Sequence, residues 1–322
     1  MRSEPSARAR RRLAAVSSLS LARARAARLA FVSLAVAASI GLLSLAISAC
    51  GTGGSALGPP GQIRTPLALI GPIVGAAPKA PSALYRVVGC RSRGDFDYRH
   101  GPSRREVAFG FDDGPYPDTR AFVRMLARNH APATFFEIGR QVSASYRATM
   151  LEALREGDVL GDHTFTHPDL TRGRDVRGQL QSTIGAIRGE TGYTPCVFRP
   201  PYGAYNTSVV RTARSLGLAT VTWNVDPSDY LQPAPGTIER RVLAQVQPGS
   251  IVISHDGGGP RGRTLAAYPA IIRALRARGY RIVTIPQLLG FRPLYVPCVR
   301  LCDGIGIRRG QLPRNAIIGR AP

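Results

Sequence analysis

The chain has 322 residues, 44% of them hydrophobic, enough for one large domain or two small ones around a packed core. Its formal charge is +23, carried almost entirely by arginine, with Lys79 the only lysine. The basic residues are scattered and no aromatic-interleaved patch accompanies them, so the charge does not mark a nucleic-acid interface.

The first 28 residues hold eight Arg and one Glu, a charge of +7, which leaves +16 for the rest. An uncharged apolar segment follows, from Leu29 to Ala49. A basic stretch before an apolar segment that ends in small residues is an export signal, so 1–49 stand outside the fold. The junction "ISAC" then "GTGG" resembles the bacterial lipoprotein box, with Cys50 as the lipid-bearing first residue after cleavage. The same segment is also long enough to remain as an uncleaved membrane anchor. Both readings place the remainder outside the cytoplasm, tethered to the outer face of the membrane or secreted.

Residues 50–85 are rich in Gly, Pro and Ala and read as a tether. From about residue 86 to 290 the composition is globular, and 291–322 form a Cys-containing C-terminal extension. Within the globular part "EVAFGF" predicts a strand and "DTRAFVRMLARNH" a helix, then "ATFFEIG" a strand and "ASYRATMLEALREG" a helix. "DVLGDH" and the helical "RDVRGQLQSTIGAIRGETG" follow, then "CVFRP", "NTSVVRTARSLG", "LATVTWNV", "TIERRVLAQV", "SIVISHD", "AAYPAIIRALRARG" and "RIVTI". Strand then helix, about seven times over, predicts an α/β fold with a parallel sheet, either open or closed into a barrel. With Cys50 set aside, Cys90, Cys196, Cys298 and Cys302 remain. In an oxidising compartment they predict two disulfides, with all three pairings open.

The strand ends carry "FDDGP", "GDHTFTH", "FRPPYG", "NVDPSDY" and "SHDGG", while the strand interiors are apolar. In parallel barrels chemistry sits at this end. His163 and His167, four residues apart, can direct two imidazoles at one divalent metal, and a carboxylate from "DDGP" would complete a three-ligand site. Asp113 as that ligand would be neutralised by the cation, leaving Asp112 as general base toward a water that the metal activates. Taken alone, "DDGP" is equally a solvated turn.

Together "FDDGP", "HTFTH", "RPPYG" and "SHD" stand in the order and approximate spacing of the motifs of the polysaccharide deacetylase family, also called the NodB-homology domain or carbohydrate esterase family 4. The chain resembles that family from about Glu106 to Gly290, and "APATFFEIG" supports the match. The resemblance implies a distorted (β/α) barrel of about seven parallel strands and a divalent metal, usually zinc, on Asp113, His163 and His167. It implies Asp112 as catalytic base, held ionised by Arg199, and His255 as general acid, kept cationic by a carboxylate. In "VDPSDY" that carboxylate is Asp229, with Asp226 in reserve. Pro201, Tyr202 and Ile253 would form the substrate and oxyanion position, with the Tyr202 N–H on the oxyanion and Ile253 against the acetyl methyl group.

Three departures stand out: Tyr230 in place of the family's usual Trp, Gly110 where Thr is frequent, and Ile253 in place of Leu. None removes a reacting group. Trp223 reads equally as a sugar platform or a core residue, and Asp162 as a partner of a ligating His or as a turn former; His130 has no expected role. The resemblance implies removal of N-acetyl groups from amino sugars of a polymer such as peptidoglycan or a chitin-like glycan. The alternatives are O-deacetylation of xylan or another acetylated glycan, and a non-catalytic wall-binding lipoprotein.

Overall fold

The computed structural model describes residues 84–93, 96–173, 175–298 and 306–319. The export segment, Cys50, Cys302 and nearly all of the tether lie outside them. Among the described residues no helix is long and apolar enough to cross a membrane. In chain order the strands are β1 Leu84–Arg91, β2 Asp97–Tyr98, β3 Glu106–Gly114, β4 Thr134–Glu137, β5 Val159–Asp162 and β6 Val197–Phe198. They continue with β7 Ala219–Val221, β8 Ser250–His255, β9 Arg281–Val283, β10 Arg292–Pro297, β11 Ile307–Arg308 and β12 Ile317–Ile318. The helices are α1 Thr119–Arg128, α2 Ala144–Glu156, α3 Val176–Thr191, α4 Thr207–Ser215, α5 Pro235–Gln245, α6 Gly262–Ala277 and α7 Ile285–Leu288.

β3 is the axis of the structure. Its run Val107–Phe111 is buried on both faces, as a central parallel strand covered by helices must be. It pairs in parallel with β4, β8 and β9, and the sheet continues through β5, β6 and β7 to β2. Beyond β7, Val225 bridges Val252 of β8, and Ile253 N–H donates to Val225 O at 3.0 Å. That bridge brings the far side of the sheet back to β8, giving the distorted barrel of parallel strands that the alternation implied.

The helices cover it with amphipathic faces; α1 buries Phe122, Val123, Met125 and Leu126. Helix starts follow local chemistry. Asp175 accepts from Gly178 N–H at the start of α3, and Asn206 from Val209 N–H at the start of α4. Inside, Phe111 packs its ring 5.1 Å from Phe122, 5.4 Å from Phe135 and 4.8 Å from Tyr268.

A second, small sheet has the order β11-β1-β10-β12. β1 runs antiparallel to β10 from Tyr85–Pro297 to Arg91–Arg292, so the segment after Gly290 supplies a strand beside the first described one. Of the three open cysteine pairings, the structure selects the one that joins Cys90 to Cys196, with Cα atoms 5.4 Å apart. Cys298 is disulfide-bonded as well.

Candidate active site

Strand register assembles the site. Asp112 on β3 is the paired neighbour of His255 on β8, so the expected base and acid leave the sheet side by side. On the other flank Glu137 ends β4 opposite Asp162 of β5, and Asp162 lies opposite Phe198 of β6. His163 and Arg199 are the next residues out. A cavity of about 470 Å³ opens there, lined by Asp112, Asp113, His163, His167, Tyr202, Trp223, Asp226, Tyr230, Ile253 and His255.

Asp113, His163 and His167 each turn one ligand atom toward a common point, with these atoms all within 4.8 Å of one another. Asp113 Oδ1 lies 3.6 Å from His163 Nε2 and 3.3 Å from His167 Nε2. Asp113 takes a left-handed conformation, φ 72°, at an irregularity in the β3–β4 pairing, which aims its carboxylate away from the sheet. Gln141 holds that backbone, donating from Nε2 to Asp113 O at 2.8 Å and Gly114 O at 3.0 Å.

The two histidines are not on a helical turn. Their loop contains left-handed Thr164 and His167, and Gln179 of α3 fastens it by accepting from Phe165 N–H at 3.0 Å and Thr166 N–H at 2.9 Å. His163 donates Nδ1–H to Arg199 O at 2.7 Å, a tautomer that leaves the Nε2 lone pair facing Asp113. Burial pushes the His163 pKa down to about 3, so the ring is neutral, as a metal ligand must be. Among the described residues Asp113 Oδ1 is buried with no hydrogen-bond donor, although two imidazole nitrogens face it. An orphaned carboxylate oxygen among two nitrogen donors fits a divalent cation, and nitrogen-plus-carboxylate chemistry suits zinc.

Asp112 is buried and its Oδ1 receives Arg199 NH1 at 2.8 Å. Burial raises the Asp112 pKa, and the guanidinium and His255 oppose that rise without cancelling it. Ionisation enforced by Arg199 is therefore only part of the picture; the carboxylate is also made more basic by its desolvation. Arg199 is fully buried, stacked 4.2 Å over the Phe136 ring. One residue thus holds Asp112 through its side chain and His163 through its carbonyl.

On the opposite wall His255 Nδ1 lies 2.8 Å from Asp229 Oδ1, and Asp229 Oδ2 also accepts from His255 N–H and Thr264 Oγ1, each at 2.9 Å. Burial alone would lower the His255 pKa, but the Asp229 hydrogen bond and the surrounding carboxylates raise it. Asp226, the reserve, accepts from Ser228 N–H and faces the cavity instead. Tyr202 stands exposed in a left-handed conformation, φ 61°, its ring edge-on to His167 at 4.8 Å. Ile253 lines the cavity, whereas Pro201 is buried beside Tyr202 and does not. Trp223 is half-buried and lines the wall, and Asp162 accepts from Thr164 N–H, which is its turn reading.

Glu137 and Asp256 drew no functional expectation. Both are buried beside Gly114, where a Cβ would lie 2.6 Å from Glu137 Oε2 and 2.8 Å from Asp256 Oδ2. Burial and the nearby Asp256 push the Glu137 pKa far up, and burial lifts Asp256 to about 7 against the opposing hydrogen bond from Thr119. The signal available in the sequence was a lone Glu inside the apolar strand "ATFFEIG".

A parallel barrel with a carboxylate–imidazole triad, an adjacent buried carboxylate and a carboxylate-bonded imidazole at one mouth has the architecture of a metal-dependent hydrolase. Comparison with known proteins specifies which. The polysaccharide deacetylase family model matches residues 99–221. A chitooligosaccharide deacetylase of Bradyrhizobium is 37% identical over 199 residues, covering 57% of this chain and 90% of the relative. The crystal structure of a peptidoglycan N-acetylglucosamine deacetylase, Bc1960, in complex with 4-naphthalen-1-yl-N-oxidanyl-benzamide superposes with TM-score 0.58 at 30% identity, covering 61% of this chain and 94% of that one. BA3943 of Bacillus anthracis, described as a CE4 family pseudoenzyme, reaches TM-score 0.56 at 27% identity, with 61% and 70% covered. The chain belongs to the polysaccharide deacetylase family and is a hydrolase of amide bonds.

Proposed function

We infer that this protein removes N-acetyl groups from amino sugars of an extracytoplasmic glycan, with peptidoglycan N-acetylglucosamine as the leading substrate. The observation that carries the reading is the pairing of Asp112 with His255 across adjacent strands, each with its own buried orienting partner, beside the Asp113–His163–His167 triad. A divalent cation held by that triad, zinc by its donor set, would polarise the acetamide carbonyl and lower the pKa of a water.

This chain's own groups do the rest. Asp112 takes the proton of the attacking water, and its desolvation strengthens it as a base. Tyr202 lines the cavity, which supports its N–H as the donor to the developing oxyanion. His255, protonated because Asp229 holds it so, gives its proton to the departing amine, releasing acetate and a free amino sugar. Ile253 supplies an apolar surface for the acetyl methyl group.

The basic and apolar N-terminal sequence supports export, and the lipoprotein-box likeness at Cys50 supports attachment to the outer membrane face by lipid; an uncleaved anchor would give the same topology. The Cys90–Cys196 disulfide supports an oxidising compartment. Acetate release from N-acetylglucosamine oligomers, peptidoglycan and acetylated xylan tests the reading. Turnover of the first two should vanish with chelator, return with zinc, and fall about 10²–10⁴-fold in Asp112→Asn. Chelator-resistant turnover, or turnover of the xylan alone, overturns it.

A further inference from the structure

The reacting cavity has a neighbour. A second cleft of about 460 Å³ is lined by His167, Pro168, Asp169, Arg172 and Tyr202, sharing His167 and Tyr202 with the first. Those two rings meet edge-on at 4.8 Å and form the ridge between the clefts. Each cleft has the volume of a small-ligand site. A polymer crossing the ridge would place the sugar under reaction on one side and an adjoining sugar on the other.

The polar groups of the second cleft favour one kind of sugar. Asp169 is spent within the protein: Oδ1 accepts from Thr171 N–H at 3.0 Å and Thr171 Oγ1 at 2.6 Å, and Oδ2 receives Arg172 Nε at 2.8 Å. Among the described residues Arg172 is engaged at Nε alone. Its side chain is 81% exposed, and both terminal nitrogens have donors left for a ligand. A guanidinium ion-paired at Nε and open at its fork presents paired N–H groups, the geometry that binds a carboxylate in bidentate fashion.

We propose that this cleft is a saccharide subsite adjoining the reaction cavity, in which Arg172 selects an amino-sugar unit bearing a carboxylate substituent. The inference rests on the glycan-deacetylase reading and narrows it from amino-sugar polymers in general to those with an acid group on alternate units. A uniformly neutral oligomer would occupy the same cleft without satisfying the guanidinium. Tyr202 then serves both sides, with its N–H toward the reaction and its exposed ring toward the neighbouring sugar.

The test uses the zinc-loaded protein and two probes: a tetrasaccharide alternating N-acetylglucosamine with N-acetylmuramic acid, and tetra-N-acetylchitotetraose. Calorimetric titration should show about tenfold tighter binding of the acidic probe by wild type, a preference that disappears in Arg172→Ala. Reducing the lactyl carboxyl of the acidic probe to an alcohol should remove the preference from wild type as well. Because both probes are measured on each variant, a general loss of binding cancels from the ratio. Equal affinity for the two probes in wild type, failure to bind either, or a preference that survives in Arg172→Ala overturns the subsite. Acetate release is scored separately: binding preference without release would sink the deacetylase reading and leave the subsite standing.

Discussion

Gly110 lies directly against the Arg199 guanidinium that reaches Asp112. A Cβ on Gly110 would stand 2.5 Å from Arg199 NH1 and 2.6 Å from NH2, inside contact distance of a fully buried guanidinium. Gly110→Ala should displace Arg199 from Asp112, cost about 1–3 kcal/mol of stability by overpacking, and lower kcat more than it raises KM. Unchanged kcat in a folded variant would separate Arg199 from catalysis. Across the cavity the sign of a pH effect follows from His255. Asp229 raises its pKa, so the protonated acid persists to higher pH than a free imidazole would. Asp229→Asn should therefore bring the alkaline limb of kcat down in pH. An alkaline limb that stays in place would show that His255 is not the proton donor.

At the level of elements, the seven strands and six long helices were readable because apolar runs and amphipathic periods alternate with turn residues. The strand-end position of the motifs followed from the same pattern. What the pattern could not supply was geometry set by long-range contacts. The histidine loop reads as a turn, yet its shape comes from Gln179 on α3, and the Asp113 bulge is braced by Gln141; neither glutamine carries a local signature. Buried carboxylates were equally hidden. Asp158, between α2 and β5, looks like an exposed residue after Gly157, but Oδ1 accepts from Ala133 N–H at 2.8 Å and Oδ2 has no partner among the described residues. Burial raises its pKa to about 8. The folded state thus holds a proton that the unfolded chain releases near pH 4, so Asp158 destabilises the fold progressively as pH rises from about 4 to about 8. Asp158→Asn should stabilise the protein by roughly 1–2 kcal/mol at pH 8 and have almost no effect at pH 4. Thermal melts at the two pH values check this, and an equal effect at both would contradict it.

For the whole molecule, the Cys90–Cys196 disulfide crosslinks the small sheet to the barrel. Cys90 lies on β1 and Cys196 just before β6, 106 residues apart in sequence. The same seam carries Thr194 N–H to Val88 O at 2.9 Å, and Gly89, φ 149°, passes so close that a Cβ would sit 2.6 Å from Thr194 O. The seam therefore combines a crosslink, a backbone hydrogen bond and a close approach that only glycine permits. Closing so long a loop restricts the unfolded chain, and removing such a crosslink costs typically 2–5 kcal/mol. Neither cysteine lines the reaction cavity, whose walls come from the strand ends of the barrel. A Cys90→Ala/Cys196→Ala variant should accordingly unfold at lower denaturant concentration while keeping kcat/KM at 25 °C within about twofold. The double variant is the proper probe because a reductant would also attack the bond at Cys298. Loss of activity in parallel with stability would mean that β1 helps hold the strand ends, and the barrel could not then be treated as the sole scaffold of the site.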